Sequence, residues 1–266
     1  MADISYPHRE LMAVADNLKR YLEQEREDGV TEVEADRAEM KKLSDVPVRP
    51  AVAATRPAGV EPEKPAKSRP TEADGRVALG RLAEEAAACK KCVLHKTRTN
   101  VVPGQGACRP EIMFVGEAPG ADEDEQGLAF VGRAGQLLTK MIEAMGLTRE
   151  EVFIANILKC RPPENRQPMP DEMAACLPYL RAQIGILKPD VIVTLGATAA
   201  RGLLGVETGI TKLRGTWMEF AGIPTMPTLH PAYLLRNPPA KKDAWADLKE
   251  VLRRIGRQAP PQAASK

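Results

Sequence analysis

Aromatic residues are scarce in this chain of 266 residues, at 4% of the total, and histidine is scarcer, with three in all. An aromatic or imidazole beside a motif therefore stands out. Long uncharged apolar runs are lacking, so no segment reads as a membrane-spanning helix. The N-terminus lacks a signal-peptide pattern. Together these absences predict a cytoplasmic protein, where thiols stay reduced and clustered cysteines signal metal rather than disulfide. Net charge is also small, at +2, but it hides an asymmetry. Residues 1–75 hold 12 Lys+Arg and 16 Asp+Glu, which is −4, while residues 76–266 hold 26 and 20, which is +6. A basic domain behind an acidic leader is compatible with a polyanion partner, though many solvated surfaces carry such an excess.

What the chain does have is 43% hydrophobic residues, enough for one sizeable core plus extra material. Residues 1–43 read as a helical extension, because Leu11, Val14, Ala15, Leu18, Tyr21 and Leu22 recur at helical spacing opposite a charged face. That helix reads equally well as a docking element for a protein partner or as a mobile appendage. Residues 44–75 are rich in Pro, Ala and charge, with Pro47, Pro50, Pro57, Pro62, Pro65 and Pro70. Such a composition buries too little surface to order itself and reads as a disordered linker. The folded domain is expected over 76–257, with a tail at 258–266.

Within that domain, apolar strands alternate with helices. Helices are predicted near Val77–Ala88, Ala134–Met145, Pro170–Leu187, Ala197–Leu204 and Trp245–Ile255. Strands are predicted at Ile112–Val115, Val152–Leu158, Val191–Leu195, Trp217–Phe220 and Thr225–Leu229. This alternation predicts an α/β fold, a three-layer sandwich whose mostly parallel central sheet is flanked by helices. Ligands in such sheets sit beyond the carboxyl ends of the strands.

Four cysteines carry the strongest local signal. Cys89 and Cys92 form a C-x2-C pair; 67 residues separate it from Cys160, and 15 more separate Cys160 from Cys176. A fold that brings all four together would offer a thiolate set for a structural zinc or a 4Fe–4S cluster, and spacing alone leaves both open. The fifth, Cys108, lies in the loop GQGAC and reads as an incidental thiol.

Three strand ends offer chemistry. The first strand runs into Gly116-Glu117-Ala118-Pro119-Gly120, where the glycines let a ligand approach the backbone and Glu117 projects at the open end. A structural turn is the plain alternative, and the acidic run that follows, ADEDE, reads as a solvated loop. The second strand carries Asn156, whose amide suits either a structural network or the edge of a nucleobase. The third leads to His230-Pro231 and then Leu234-Leu235-Arg236. An apolar tip flanked by Arg236, Lys241 and Lys242 suits insertion into a polyanion groove. On spacing alone, a helix start with core leucines is the better reading.

Taken in order, the C-x-x-C pair, GEAPGADEDEQG, AFVGRAGQLL, ANILKCRPPENRQP, the helix bearing Cys176, VTLGATAA and HPAYLLR closely resemble the family 4 uracil-DNA glycosylases, the iron–sulfur branch of that superfamily. The resemblance covers residues 89 to about 255 and nothing in 1–75. It implies a 4Fe–4S cluster on Cys89, Cys92, Cys160 and Cys176, a monomer acting on uracil-containing DNA, and a cytoplasmic, nucleoid-associated location. It implies that Glu117 positions the attacking water, with Gly116, Ala118, Pro119 and Gly120 shaping the site. Phe130 would stack on an everted uracil, Asn156 would read its edge, and His230 would donate to a carbonyl. Leu234, Leu235 and Arg236 would enter the minor groove. A related branch traps the sugar on a histidine in an Arg/Lys-rich insertion, which ANILKCRPPENRQP lacks. A rival of another class is a non-catalytic iron–sulfur nucleic-acid-binding module, accessory to a DNA polymerase.

Overall fold

In a computed structural model, residues 71–261 are described. The expectations for the N-terminal extension, for the linker up to residue 70 and for the tail from 262 lie outside the described residues. Helix α1 (Glu72–Ala87) starts from Thr71, whose hydroxyl accepts the Asp74 N–H at 3.2 Å, with Glu72 and Asp74 in the first turn. Then follow a short edge strand β1 (Gln105–Gly106), β2 (Ile112–Gly116), α2 (Ala121–Gln126), α3 (Arg133–Ala144), β3 (Phe153–Asn156) and α4 (Pro170–Leu187). The chain continues through β4 (Val191–Leu195), α5 (Ala197–Leu204), α6 (Ile210–Leu213), β5 (Met218–Phe220), β6 (Ile223–Thr228), α7 (Pro231–Arg236) and α8 (Lys241–Arg254).

The six strands form one sheet in the order β1-β3-β2-β4-β6-β5. The four central strands are parallel and the two edge strands antiparallel. Parallel neighbours need crossovers, and here helices supply them on both faces. The burial follows from this arrangement. Every residue of β2 and β4 is buried. Along β2, Ile112 and Phe114 join one core with Leu138 and Ile142 of α3 and Leu248 and Val251 of α8. Met113 and Val115 point the other way, into a second core with Leu180 and Ile184 of α4 and Leu203 of α5. The period-two alternation of one continuous apolar run thus feeds two layers.

Two local readings change. The acidic run after Gly120 is not a solvated loop but helix α2, and Asp124 in it is buried. Its carboxylate accepts the Thr99 N–H at 3.0 Å and the Asn100 N–H at 3.3 Å, which ties α2 to the segment following the C-x-x-C pair. The strand expected over Val152–Leu158 is shorter, at Phe153–Asn156. Beyond it Ile157 and Leu158 still donate to the Gly116 and Glu117 carbonyls, at 2.9 and 3.0 Å.

Candidate active site and cysteine ring

The carboxyl ends of β2, β3 and β6 bring three of the expected residues to one point. Gly116 ends β2 and pairs in parallel register with Asn156, which ends β3. A Cβ at Gly116 would overlap both Asn156 Oδ1 and the ring of Phe130, so only glycine lets the amide and the ring meet over this floor. The rings of Phe130 and His230 lie 5.9 Å apart, tilted by 35°. His230 also closes over Gly196, at φ +91°, where a Cβ would sit 3.0 Å from His230 Cβ.

Each member is held from behind. Phe130 adopts φ +54°, a left-handed conformation that a bulky residue enters only when its surroundings force it. The forces are visible. Arg149 donates to the Ala129 carbonyl at 2.7 Å and to the Phe130 carbonyl at 3.1 Å. The Glu123 carboxylate accepts from Val131 N and Gly132 N at 2.8 and 2.9 Å, and from Gly120 N at 3.0 Å. Glu123 thus staples the turn after β2 to the turn after Phe130. Gly135 is required as well, because a Cβ there would overlap the Phe130 carbonyl.

His230 caps α7, with Nδ1 accepting the Ala232 N–H at 3.1 Å. That bond puts the ring proton on Nε2, which leaves Nε2–H as a donor. Burial, helped by the nearby Arg236 charge, lowers its pKa from the ordinary 6.5 to about 4, so the ring is neutral at physiological pH. Asn156 is 2% exposed, and its Oδ1 is a buried acceptor with no hydrogen-bond partner among the described residues. A buried unpaired amide oxygen is costly in isolation, at about 1–3 kcal/mol, unless a ligand donor arrives.

Glu117 follows Gly116 directly and is partly exposed at the same strand end, where its carbonyl accepts the Leu158 N–H. Pro119 is buried, while Ala118 and Gly120 are partly buried. Clefts lie elsewhere among the described residues, among them one of about 330 Å³ beside Leu137, Met141 and Trp245 and one of about 640 Å³ beside Gln105 and Arg109. Neither is lined by Gly116, Phe130, Asn156 or His230, so side-chain convergence, not cavity size, marks this site.

The segment after His230 is a helix, and its leucines divide. Leu234 is 1% exposed and packs with Leu229 and Ala244. It is therefore core and does not project as a tip. Leu235, Tyr233 and Arg236 are exposed.

The four cysteines do converge. Cys89, Cys92, Cys160 and Cys176 line one small cavity with Lys91, His95 and Arg98. Arg98 Nη1 lies 3.1 Å from Cys160 Sγ, and the Lys159 N–H points at Cys176 Sγ, also at 3.1 Å. Such donors and cations favour thiolates over thiols. Without a metal, burial pushes the Cys176 thiol up to about 11 and raises Cys160 as well. Among the described residues no three His, Cys, Asp or Glu side chains are close enough together to grip a single metal ion. The fifth cysteine, Cys108, is buried beside Gly75, away from this ring.

Glu123, Arg149 and Lys159 escape a sequence reading. Glu123 had one faint signal, a carboxylate three residues after Gly120 at a helix start.

Comparison with known proteins gives the family. The model of the uracil DNA glycosylase superfamily matches residues 103–249. A type-4 uracil-DNA glycosylase of Thermotoga maritima is 51% identical over 158 residues, covering 59% of this chain and 82% of that protein. One from Sulfurisphaera tokodaii is 48% identical over 182 residues, covering 65% and 83%. A DNA polymerase of Bacillus phage SP01 is 35% identical over 136 residues, covering 51% of this chain but 15% of the polymerase. The chain belongs to the uracil DNA glycosylase superfamily, and within it to the type-4 uracil-DNA glycosylases.

Proposed function

We propose that this chain is a DNA repair glycosylase that everts uracil from DNA and hydrolyses its N-glycosidic bond, leaving an abasic site for base excision repair. The observation that carries the reading is the buried, partnerless Asn156 Oδ1, facing Phe130 over a floor that only glycine permits. Uracil within a duplex is out of reach, so it must be flipped at a cost of a few kcal/mol. Phe130 stacks on the everted base, and the Asn156 amide matches a uracil edge, with Oδ1 accepting from N3–H. The neutral His230 donates from Nε2 to a uracil carbonyl. Bond cleavage puts negative charge on the departing base and positive charge on the sugar. A fixed donor at the base and the Glu117 carboxylate near the sugar therefore stabilise the transition state more than the ground state. Glu117 also orients the attacking water. Gly116, Ala118, Pro119 and Gly120 form the wall along which the nucleotide enters. Leu235 and Arg236 form the exposed tip that enters the minor groove, and Leu234 anchors it from the core.

Cys89, Cys92, Cys160 and Cys176 are proposed as ligands of a 4Fe–4S cluster. An all-thiol donor set fits that group. An all-thiol set also suits a single zinc, and the likeness to the iron–sulfur branch of the superfamily favours the cluster. When bound, the cluster pins the segments around Cys92 and Cys160 near the DNA-facing end. Freshly purified protein is expected to be brown, with a broad visible absorption that Cys176→Ala abolishes; a colourless protein holding zinc would overturn this assignment.

Among the described residues no helix is long and apolar enough to cross a membrane. The enzyme is proposed to act as a monomer on nucleoid DNA in the cytoplasm. The partial likeness to a phage polymerase favours one alternative, a non-catalytic binding module attached to replication machinery. A uracil-containing oligonucleotide, treated with protein and then with alkali, separates the two. Strand breaks at uracil are expected, and their absence with cluster-loaded protein selects the binding module. Affinity for DNA is expected to fall steeply with salt, as neutralised phosphates release counterions. A flat salt response would point to a small-molecule substrate.

A further inference from the structure

A charged side chain lies behind the candidate site. Lys159 is 2% exposed. Its Nζ donates to the Asn156 main-chain oxygen at 2.9 Å and to Gln183 Oε1 at 2.7 Å. Gln183 Nε2 in turn donates to the Pro103 carbonyl at 2.6 Å. The Lys159 backbone is held as well, since its carbonyl accepts the Val102 N–H at 2.8 Å and its N–H faces Cys176 Sγ. One residue thus touches the end of β3, helix α4, the segment before β1 and one thiol of the cysteine ring.

Both hydrogen-bond acceptors of the ammonium are neutral, and the nearby group whose charge would favour it is the Cys176 sulfur. Burying an ammonium is costly, and apolar residues of similar size usually fill such a position at no loss. What the ammonium does fix is the carbonyl of Asn156. On the other side of the same residue, the register of β3 against β2 holds the strand. Held from both sides, the Asn156 Cα has little freedom, and the amide that hangs from it keeps one direction.

We propose that Lys159 is a positioning residue for uracil excision: its ammonium locks the Asn156 main chain and aims the amide at the base edge, while its backbone N–H joins this strand end to the cysteine ring. The inference rests on the glycosylase reading given above.

The test uses the full chain with its cysteine ring loaded. Lys159→Met keeps length and removes both charge and donors. Gln183→Met removes one acceptor at a distance from the strand and from the thiols. The measurements are kcat and KM for uracil release, the ratio of uracil to cytosine release, and visible absorbance per chain. For Lys159→Met, kcat is expected to fall about 100-fold, the size that loss of precise orientation commonly produces. KM is expected to stay within about threefold, as when a transition-state interaction is lost. The uracil preference should relax while absorbance per chain holds. Gln183→Met should show the same pattern at smaller size. A kcat loss that tracks lost absorbance, with the base preference unchanged, would overturn the proposal, because it marks a role in the cysteine ring alone. Wild-type preference and kcat in Gln183→Met would overturn it too, should Lys159→Met fail to fold. Failure of the wild-type protein to release uracil removes the glycosylase reading itself. Release by the wild type with unaltered variants removes only the role of Lys159.

Discussion

Replacing His230 by Ala is expected to lower kcat for uracil release by about 10²–10³-fold while DNA binding changes little. That is the usual size of effect when one fixed donor to a developing anion is removed. The split between kcat and binding follows from geometry. The imidazole has one nitrogen bound within the protein and one left for the substrate. Nδ1 is committed to the Ala232 N–H and cannot serve the substrate. Nε2–H is the only donor left, and its partner gains charge only as the base departs. Loss of the Nδ1 cap weakens a short helix, α7, that carries the exposed Leu235 and Arg236. Collapse of DNA binding together with kcat would therefore assign His230 to the helix rather than to the chemistry. His230→Gln offers a neutral donor of similar reach, and partial recovery of kcat would separate the two roles.

Burial of the same ring fixes the pH response. With its pKa lowered from 6.5 to about 4, His230 stays neutral through the physiological range. The unfolded chain takes up this proton near 6.5 and the folded chain only near 4, so the unfolded state binds more protons between those values. The His230 contribution to stability is full above about 6.5 and is lost progressively as pH falls towards about 4. Activity that depends on the neutral ring should follow the folded value: flat from pH 6 to 8, and falling only in the acid. A step in kcat centred near 6.5 would mean that the ring titrates as a solvated histidine.

How much of this was legible before the structure depended on range. Val191–Leu195 and Ala197–Leu204 have the limits that the sequence predicts, because an apolar run and a turn glycine specify them locally. Pro170–Leu187 likewise opens on a Pro followed by two acidic residues. The strand ends were readable because a parallel sheet exposes them, and Gly116, Asn156 and His230 sit at such ends. Helix α2 does not show in the sequence because its acidic residues read as solvated, whereas Glu123 and Asp124 spend most of their charge on backbone N–H groups far along the chain, at Val131 and Gly132 and at Thr99 and Asn100. The burial of Leu234 turns on Leu229 and Ala244, on either side of α7 in the chain, and no helical period distinguishes it from exposed Leu235. The strained Phe130 has no local signature at all. Its conformation is imposed by Arg149 and Glu123, which bond to either side of it.

Replacing Asn156 by Asp is expected to cost about 10³-fold in kcat/KM for uracil and to shrink the margin over cytosine. A site built around a hydrogen-bond pattern loses this much when the pattern no longer matches. Uracil presents a donor at N3 and an acceptor at O4. The amide answers with Oδ1 and Nδ2–H. Cytosine presents an acceptor at N3 and a donor at N4, which sets lone pair against lone pair in a pocket where Asn156 is 2% exposed. Water cannot relieve that mismatch. A carboxyl in the same place changes both terms. Burial raises a carboxyl pKa. In its protonated form it can donate to cytosine N3 and accept from N4. In its ionised form it repels the departing base as negative charge grows. The ionised form disfavours uracil, and only the protonated one can also serve cytosine, so the cytosine activity should rise as pH falls. Asn156→Leu removes both polar groups and should lose uracil release without gaining cytosine release. If Asn156→Asp keeps the full preference for uracil, the amide is a strut within the protein and some other group reads the base.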